Sequence, residues 1–197
     1  MTDTITLIVN GQRYICTPAD PEPEPDMEVI AFSQRDPRWS ALPLGNSRYT
    51  VGSAGCAVVA VTMLATQIDR EMTPATMTNY LNTNDGFASG GLLKWNSAAE
   101  AVDGLNVVRY HLWRDVPANV ETLTDRITRE PQVIQVDFYP GQALNTHFVV
   151  ALSMTADGED INIIDPWTGK RDTVLGAYGA TGWDLARAVY AMAEFRC

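Results

Sequence analysis

Among the 197 residues, three cysteines and two histidines are the side chains best suited to nucleophilic and proton-transfer chemistry. Cys56 sits in Val51-Gly-Ser-Ala-Gly-Cys-Ala-Val58, a small-residue stretch that feeds an apolar run. At a helix start, unpaired N–H groups and the macrodipole favour a thiolate over a thiol. Glycines ahead of the cysteine let a substrate backbone come close. A free cysteine also serves commonly as a small buried hydrophobe, and this segment alone does not separate the two roles.

A thiolate nucleophile needs a general base, and His111 and His147 are the candidates. His147 opens a β-rich run after Gly141-Gln-Ala-Leu-Asn-Thr146, at a loop-to-strand junction of the kind that borders a cleft. The run His147–Met154 and the run Asp160–Asp165 flank Thr155-Ala-Asp-Gly158, a turn signal. With a turn centred near Ala156 and Asp157, cross-strand partners have residue numbers summing to about 312 or slightly more. Asp165 then falls opposite His147 to within a few residues, where a carboxylate can orient the imidazole and stabilise the imidazolium. Asp165 also begins Asp-Pro-Trp-Thr-Gly169, where an aspartate commonly satisfies its own turn. Trp167 can shield the His–Asp contact from water or simply anchor the core. His111 lies in the alternating Val107–Trp113 run with no comparable carboxylate arrangement, so a structural role is expected for it.

The elements that must position these groups follow from pattern. Ala57–Gln67 is apolar on nearly every side and reads as a buried central helix. Thr73-Pro74 looks like an N-cap with proline in the first turn, leading a helix through Leu81. Further helices are expected over Gly90–Val102 and Val116–Glu130, the latter ending before Pro131. Val133–Phe138 joins the two β-rich runs already named. Helices followed by antiparallel strands make an α+β domain.

Ahead of this domain, Thr4–Cys16 places two β-rich runs around Asn10-Gly11, a strong hairpin signal. Such a hairpin must pack on the main domain or on another protein to be stable. Pro18-Ala-Asp-Pro-Glu-Pro-Glu-Pro-Asp26 then reads as an extended acidic linker. The expected organisation is therefore a hairpin over 1–17, a linker over 18–27 and one domain over 28–197.

Composition narrows the chemistry. With 46% apolar and 19% charged residues the chain has the make-up of a globular protein. A formal charge of -10 disfavours nucleic acid and anionic membranes as partners. Neither a membrane span nor a secretory signal is visible, so synthesis in the cytosol is expected, with any export by another route. Cys16, Cys56 and Cys197 are too few and too scattered for a disulfide framework or a zinc site, and no cofactor or metal is expected. Cys16 and Cys197 could still pair, each lying near a terminus, although a reducing site of synthesis opposes it. Asn82-Thr-Asn-Asp-Gly86 lacks the ligand spacing of a calcium loop.

Taken in order, Phe32-Ser-Gln-Arg-Asp-Pro-Arg-Trp39, Leu44-Gly-Asn46, Gly52-Ser-Ala-Gly-Cys-Ala57, Gly86-Phe-Ala-Ser-Gly-Gly-Leu-Leu93, Thr146-His-Phe-Val-Val150 and Ile164-Asp-Pro-Trp167 span nearly everything after the linker. In this order and spacing the chain resembles the C39-like peptidase family, a branch of the papain-like cysteine peptidases with bacterial and phage members. The resemblance implies a papain-like fold, with Cys56 as nucleophile, His147 as base and Asp165 as the orienting third member. It also implies Gln34 as an oxyanion donor beside the Cys56 N–H, although Gln34 lies further upstream than in the tighter papain arrangement. Gln34 equally suits the capping of the turn before Asp36-Pro37. Gly90-Gly91 would then form a wall of the substrate cleft. The implied substrate is a peptide amide bond, and soluble relatives point to cell-wall peptides, as in a phage lysin or virion component. The competing expectation is a binding or structural module that keeps the fold without the chemistry, docked through its N-terminal hairpin to a protein partner.

Overall fold

The structure is a computed structural model that describes residues 5–9, 12–16, 28–138 and 146–197. The Asn10-Gly11 turn, the acidic linker and the loop ahead of Thr146 lie outside the described residues. Strands β1 (Ile5–Val9) and β2 (Gln12–Cys16) pair antiparallel, with Val9 opposite Gln12.

The chain from residue 28 is organised around an apolar helix. After the short α1 (Val51–Ala54), α2 (Cys56–Ala65) begins on the cysteine itself and buries every residue from Val58 to Ala65. Fully burying each of the larger side chains is worth about 1.5–3 kcal/mol, which overrides the modest helix propensity of its three valines. α3 (Pro74–Thr83) starts where its capping signal places it, with Thr73 Oγ1 accepting from the Thr76 N–H at 3.1 Å.

The expected helix over Gly90–Val102 is much shorter. Gly90 and Gly91 adopt φ of 79° and 76°, left-handed values that break a helix and instead turn β3 (Phe87–Ala88) back onto β4 (Leu92–Leu93). Only α4 (Trp95–Ala99) remains helical there. β5 (Asn106–Leu112) follows. α5 (Val120–Arg129) starts four residues later than expected, because Asn119 caps it by accepting the Thr122 N–H at 2.8 Å. Its exit before Pro131 matches the restriction proline places on the preceding residue.

The remaining chain supplies β6 (Gln132–Asp137), β7 (Thr146–Met154), β8 (Ile161–Asp165), β9 (Lys170–Thr173), α6 (Val174–Tyr178), α7 (Leu185–Ala188) and β10 (Val189–Arg196). They form one antiparallel sheet in the order β5-β10-β6-β7-β8-β9. β10 was not expected from pattern. It is buried along nearly its whole length, so it shows no alternation, and its alanines and methionine read equally well as helix.

Alternate residues of the strands enter two separate cores. Val133, Val150, Ile164 and Ala193 meet α2, α3 and α4 on one face. Ile134, Val149, Ile163 and Met192 meet α5, α6 and α7 on the other. The molecule is thus a mixed helix and antiparallel-sheet structure with helices on both faces, and α2 lies along β7 and β6. Among the described residues no helix is long and apolar enough to cross a membrane.

The junction between α1 and α2 is unusually close. A Cβ on Gly55 would stand 2.5 Å from the Val51 carbonyl oxygen and 2.6 Å from its Cα. We expect Gly55→Ala to force α1 away from α2, lowering stability by about 1–3 kcal/mol in urea denaturation and slowing alkylation of Cys56.

Candidate active site

Cys56 occupies the first turn of α2, half-buried at the edge of a cleft of about 600 Å³. Its backbone N–H belongs to the helix end that lacks intrahelical acceptors. α1 is fixed ahead of it by Thr50 and Ser53, which cap one another, the Thr50 N–H donating to Ser53 Oγ at 2.9 Å. Cys56 therefore rests on an anchored turn and on a helix buried from Val58 to Ala65.

His147 is the second residue of β7 and is 4% exposed. β7 pairs Val150 with Ile164 and Ala151 with Ile163 of β8. Continuing that register sets Asp165 opposite Val149, which makes His147 its diagonal neighbour on the same face. This offset is slightly larger than the sequence register implies. The hairpin closes with the Thr155 N–H donating to the Asp160 carbonyl at 2.9 Å, so its centre lies beyond Asp157. Across the gap, His147 Nε2 and Asp165 Oδ1 are 2.7 Å apart.

Asp165 satisfies its turn and the histidine together. Oδ1 also accepts the Trp167 N–H at 2.8 Å, Oδ2 accepts the Thr168 hydroxyl at 3.1 Å, and the Tyr178 hydroxyl of α6 is a further hydrogen-bonding partner. Burial alone would raise the carboxyl's pKa, but His147 and these donors hold it below the ordinary value. With Nε2 engaged, Nδ1 is the imidazole nitrogen left for Cys56, which is close enough to act on the ring's protonation. Burial pulls the His147 pKa down, but the hydrogen bonds to Asp165 and Cys56 and their charges outweigh it and raise the group from 6.5 to about 9.

The rings packed on His147 are Phe138 at 4.9 Å, edge-on, and Tyr178 at 5.6 Å. Trp167 stands behind Phe138, with ring centroids 5.4 Å apart, and the Arg35 guanidinium lies 4.9 Å over its face. Phe138 and Tyr178 thus take the shielding position that sequence reasoning offered to Trp167. Neither was legible beforehand. Phe138 closes an apolar run in sequence and directly follows β6, and Tyr178 comes from a five-residue helix packed beneath the site.

Gln34 is 2% exposed and lines the same cleft. Its N–H donates to the Pro166 carbonyl at 2.7 Å, and its Nε2 donates to the Gly52 carbonyl at 3.2 Å. Gln34 therefore ties the Asp165 turn to the segment ahead of Cys56. The second Nε2 hydrogen is left over by this arrangement. Trp39, 2% exposed, braces the segment from below by donating Nε1–H to the Ser33 carbonyl at 2.7 Å.

His111 corrects one expectation. It does have a carboxylate, with Nε2 2.9 Å from Glu194 Oε2, and Arg126 Nε lies 3.0 Å from the other oxygen. Glu194 is adjacent on β10 and reads from sequence as one more residue of an unrecognised strand. This pair does not line the cleft that holds Cys56. Cys197 is a free thiol whose pKa is pushed up to about 11, by burial first and by Glu130 second.

No protein-family model matches the chain, and no curated protein matches it. Among solved structures it is similar to the bromelain protease from Ananas comosus in complex with the E64 inhibitor, with 12% sequence identity and a TM-score of 0.48. The similarity covers 84% of this chain and 93% of that one.

The raised pKa of His147 means that the folded protein holds the imidazolium more tightly than the unfolded chain does. Its contribution to stability is complete below pH 6.5 and is lost as pH rises through about 9. Asp165→Asn removes the charge that supports it, so the His147 titration followed by imidazole proton NMR should move below 9.

Proposed function

We propose that the chain is a cysteine hydrolase of papain-like type that cleaves amide bonds, with Cys56 as nucleophile, His147 as acid and base, and Asp165 orienting the imidazole. What carries the reading is His147, buried between Asp165 at 2.7 Å on Nε2 and the cysteine that begins α2 on its other side.

Cys56 Sγ, as thiolate, attacks the substrate carbonyl carbon and pushes the π-electrons onto oxygen. The oxyanion faces the Cys56 N–H and the uncommitted Nε2 hydrogen of Gln34. As the tetrahedral adduct collapses, the C–N bond breaks and the imidazolium gives its Nδ1 proton to the departing amine. The neutral imidazole then takes a proton from water, the hydroxide attacks the thioester carbonyl, and the acid leaves as the C–S bond breaks. Asp165 remains ionised throughout and holds the ring's tautomer and plane.

For the substrate, we favour peptides of the bacterial cell wall, placing the protein with endopeptidases or amidases of the C39-like branch that its motifs resemble. What supports this reading is the resemblance of the motifs to the C39-like family. Digestion of purified wall fragments of several cross-link types, followed by mass analysis, should yield new termini with the wild type and none with Cys56→Ala. Absence of any new fragment from every wall would remove the cell-wall assignment.

His147→Ala should abolish alkylation of Cys56 by a thiolate-selective alkylator at neutral pH. His111→Ala should instead lower the melting temperature and leave that alkylation in place, since it removes one of the two partners of the buried Glu194 carboxylate. For the oxyanion role, Gln34→Ala should reduce kcat by about 10²–10³-fold with a smaller change in KM. An unchanged kcat would assign Gln34 to scaffolding alone.

A further inference from the structure

Gln135 lies on β6 between two cross-strand partners of the same sheet face, Phe148 of β7 and Ala191 of β10. It is 5% exposed and lines the cleft that holds Cys56. Its Oε1 is buried without a hydrogen-bond partner among the described residues. Buried side-chain oxygens are rarely left so, and an exception calls for a partner that arrives from elsewhere.

Gln132, on the same strand, shows what a purely structural buried glutamine looks like here. Its Nε2 donates to the Glu130 and Phe195 carbonyls, both at 3.2 Å, and its Oε1 accepts the Phe195 N–H at 2.7 Å. Gln135 has no such closure, although both side chains are buried in one strand.

The surroundings of Gln135 define what could enter. Trp95 packs edge-on against Phe148 at 5.3 Å and stacks on Tyr110 at 6.0 Å, which makes an aromatic wall on this part of the cleft. Ala191, the other neighbour, is fully buried and is the smallest residue with a Cβ. Arg114 and His147 are the only ionisable cations among the described lining residues, which include no carboxylate.

We propose that Gln135 is a specificity residue, and that the aromatic section of the cleft takes a substrate side chain with an apolar or aromatic stem and a neutral hydrogen-bonding tip, a carboxamide or a hydroxyl. Such a tip can both donate and accept, which complements a carboxamide on either edge. A wholly apolar side chain leaves Oε1 unpaired, and a site with a buried polar group discriminates strongly against it. A cationic tip meets Arg114 and the His147 imidazolium with no carboxylate to offset them. A carboxylate tip sets its oxygens against Oε1. The inference rests on the hydrolase reading and deepens it by naming the substrate side chain.

The test uses peptidyl acyloxymethyl ketones that are identical except for a Gln, Tyr, Leu, Phe, Lys or Glu side chain, varied at each of the two residues nearest the electrophile. Labelling of Cys56 in the full chain is followed by intact-protein mass spectrometry. At one position the wild type should react about tenfold or more faster with the Gln and Tyr probes than with Leu and Phe. Gln135→Leu should invert that order, and Gln135→Glu should move the preference to Lys. The ratio between probes is read within each variant, so a change in overall reactivity does not confuse it. Gln135→Leu should also raise the melting temperature, because it removes an unpaired buried oxygen, and it keeps the proposal testable if the Glu variant does not fold.

An identical ranking in wild type and Gln135→Leu would overturn the role of Gln135. Chloroacetamide, which carries no side chain, separates that result from failure of the hydrolase reading. Labelling of Cys56 by it that depends on His147, together with a flat side-chain ranking, overturns this inference and leaves the hydrolase standing. A Cys56 inert to chloroacetamide and to every peptide probe overturns both.

Discussion

A buried imidazole held 2.7 Å from a buried carboxylate is the constraint around which this molecule is arranged. Taking both groups out of water costs several kcal/mol per ion unless every remaining polar site is satisfied. Asp165 meets that condition with His147, the Trp167 N–H, the Thr168 hydroxyl and Tyr178 as partners. The tight turn after β8, the placement of α6 beneath it and the edge-on Phe138 all serve this pair. Removing the Trp167 N–H or the Thr168 hydroxyl would leave a buried charge with an unfilled hydrogen-bonding position.

Cys56 belongs to the opposite layer. α2 packs its apolar residues on the sheet face lined by Val133, Val150 and Ile164, whereas the His147–Asp165 pair sits with Val149 and Ile163 on the other. The two halves meet only at the strand ends, where β7 begins and α2 begins. Gln34 joins them there, reaching the Asp165 turn through its backbone and the Cys56 segment through its side chain. A helix end and a strand end that approach across the rim of a sheet create a cleft without any need to open the core.

The parts of this arrangement legible in sequence are those with local causes. Thr73 before Pro74 places a cap whatever the tertiary structure, and the apolar run after Cys56 has no stable alternative to burial. The β7–β8 hairpin announces itself through its turn, and with it the proximity of His147 to Asp165. What stayed hidden is non-local. β10 pairs with β5 and β6, strands far away in the chain, and being buried on both faces it carries no alternation to read. The His111–Glu194 contact was invisible for that reason, since Glu194 lies on the strand that pattern does not disclose. Gly90 and Gly91 misled in the other direction. A helical hydrophobic pattern around them is overridden by two left-handed backbone conformations, which free Trp95 to stand in the cleft.

The position of β10 also sets an order of assembly during synthesis. His147, Asp165 and α2 all emerge earlier, and β6, β7, β8 and β9 can pair among themselves as they appear. β5, however, joins the sheet only through β10. Tyr110, on β5, therefore stands beside Trp95 on a strand whose sheet partner is the late strand β10. The aromatic side of the cleft is thus tied to the rest of the sheet through a single strand.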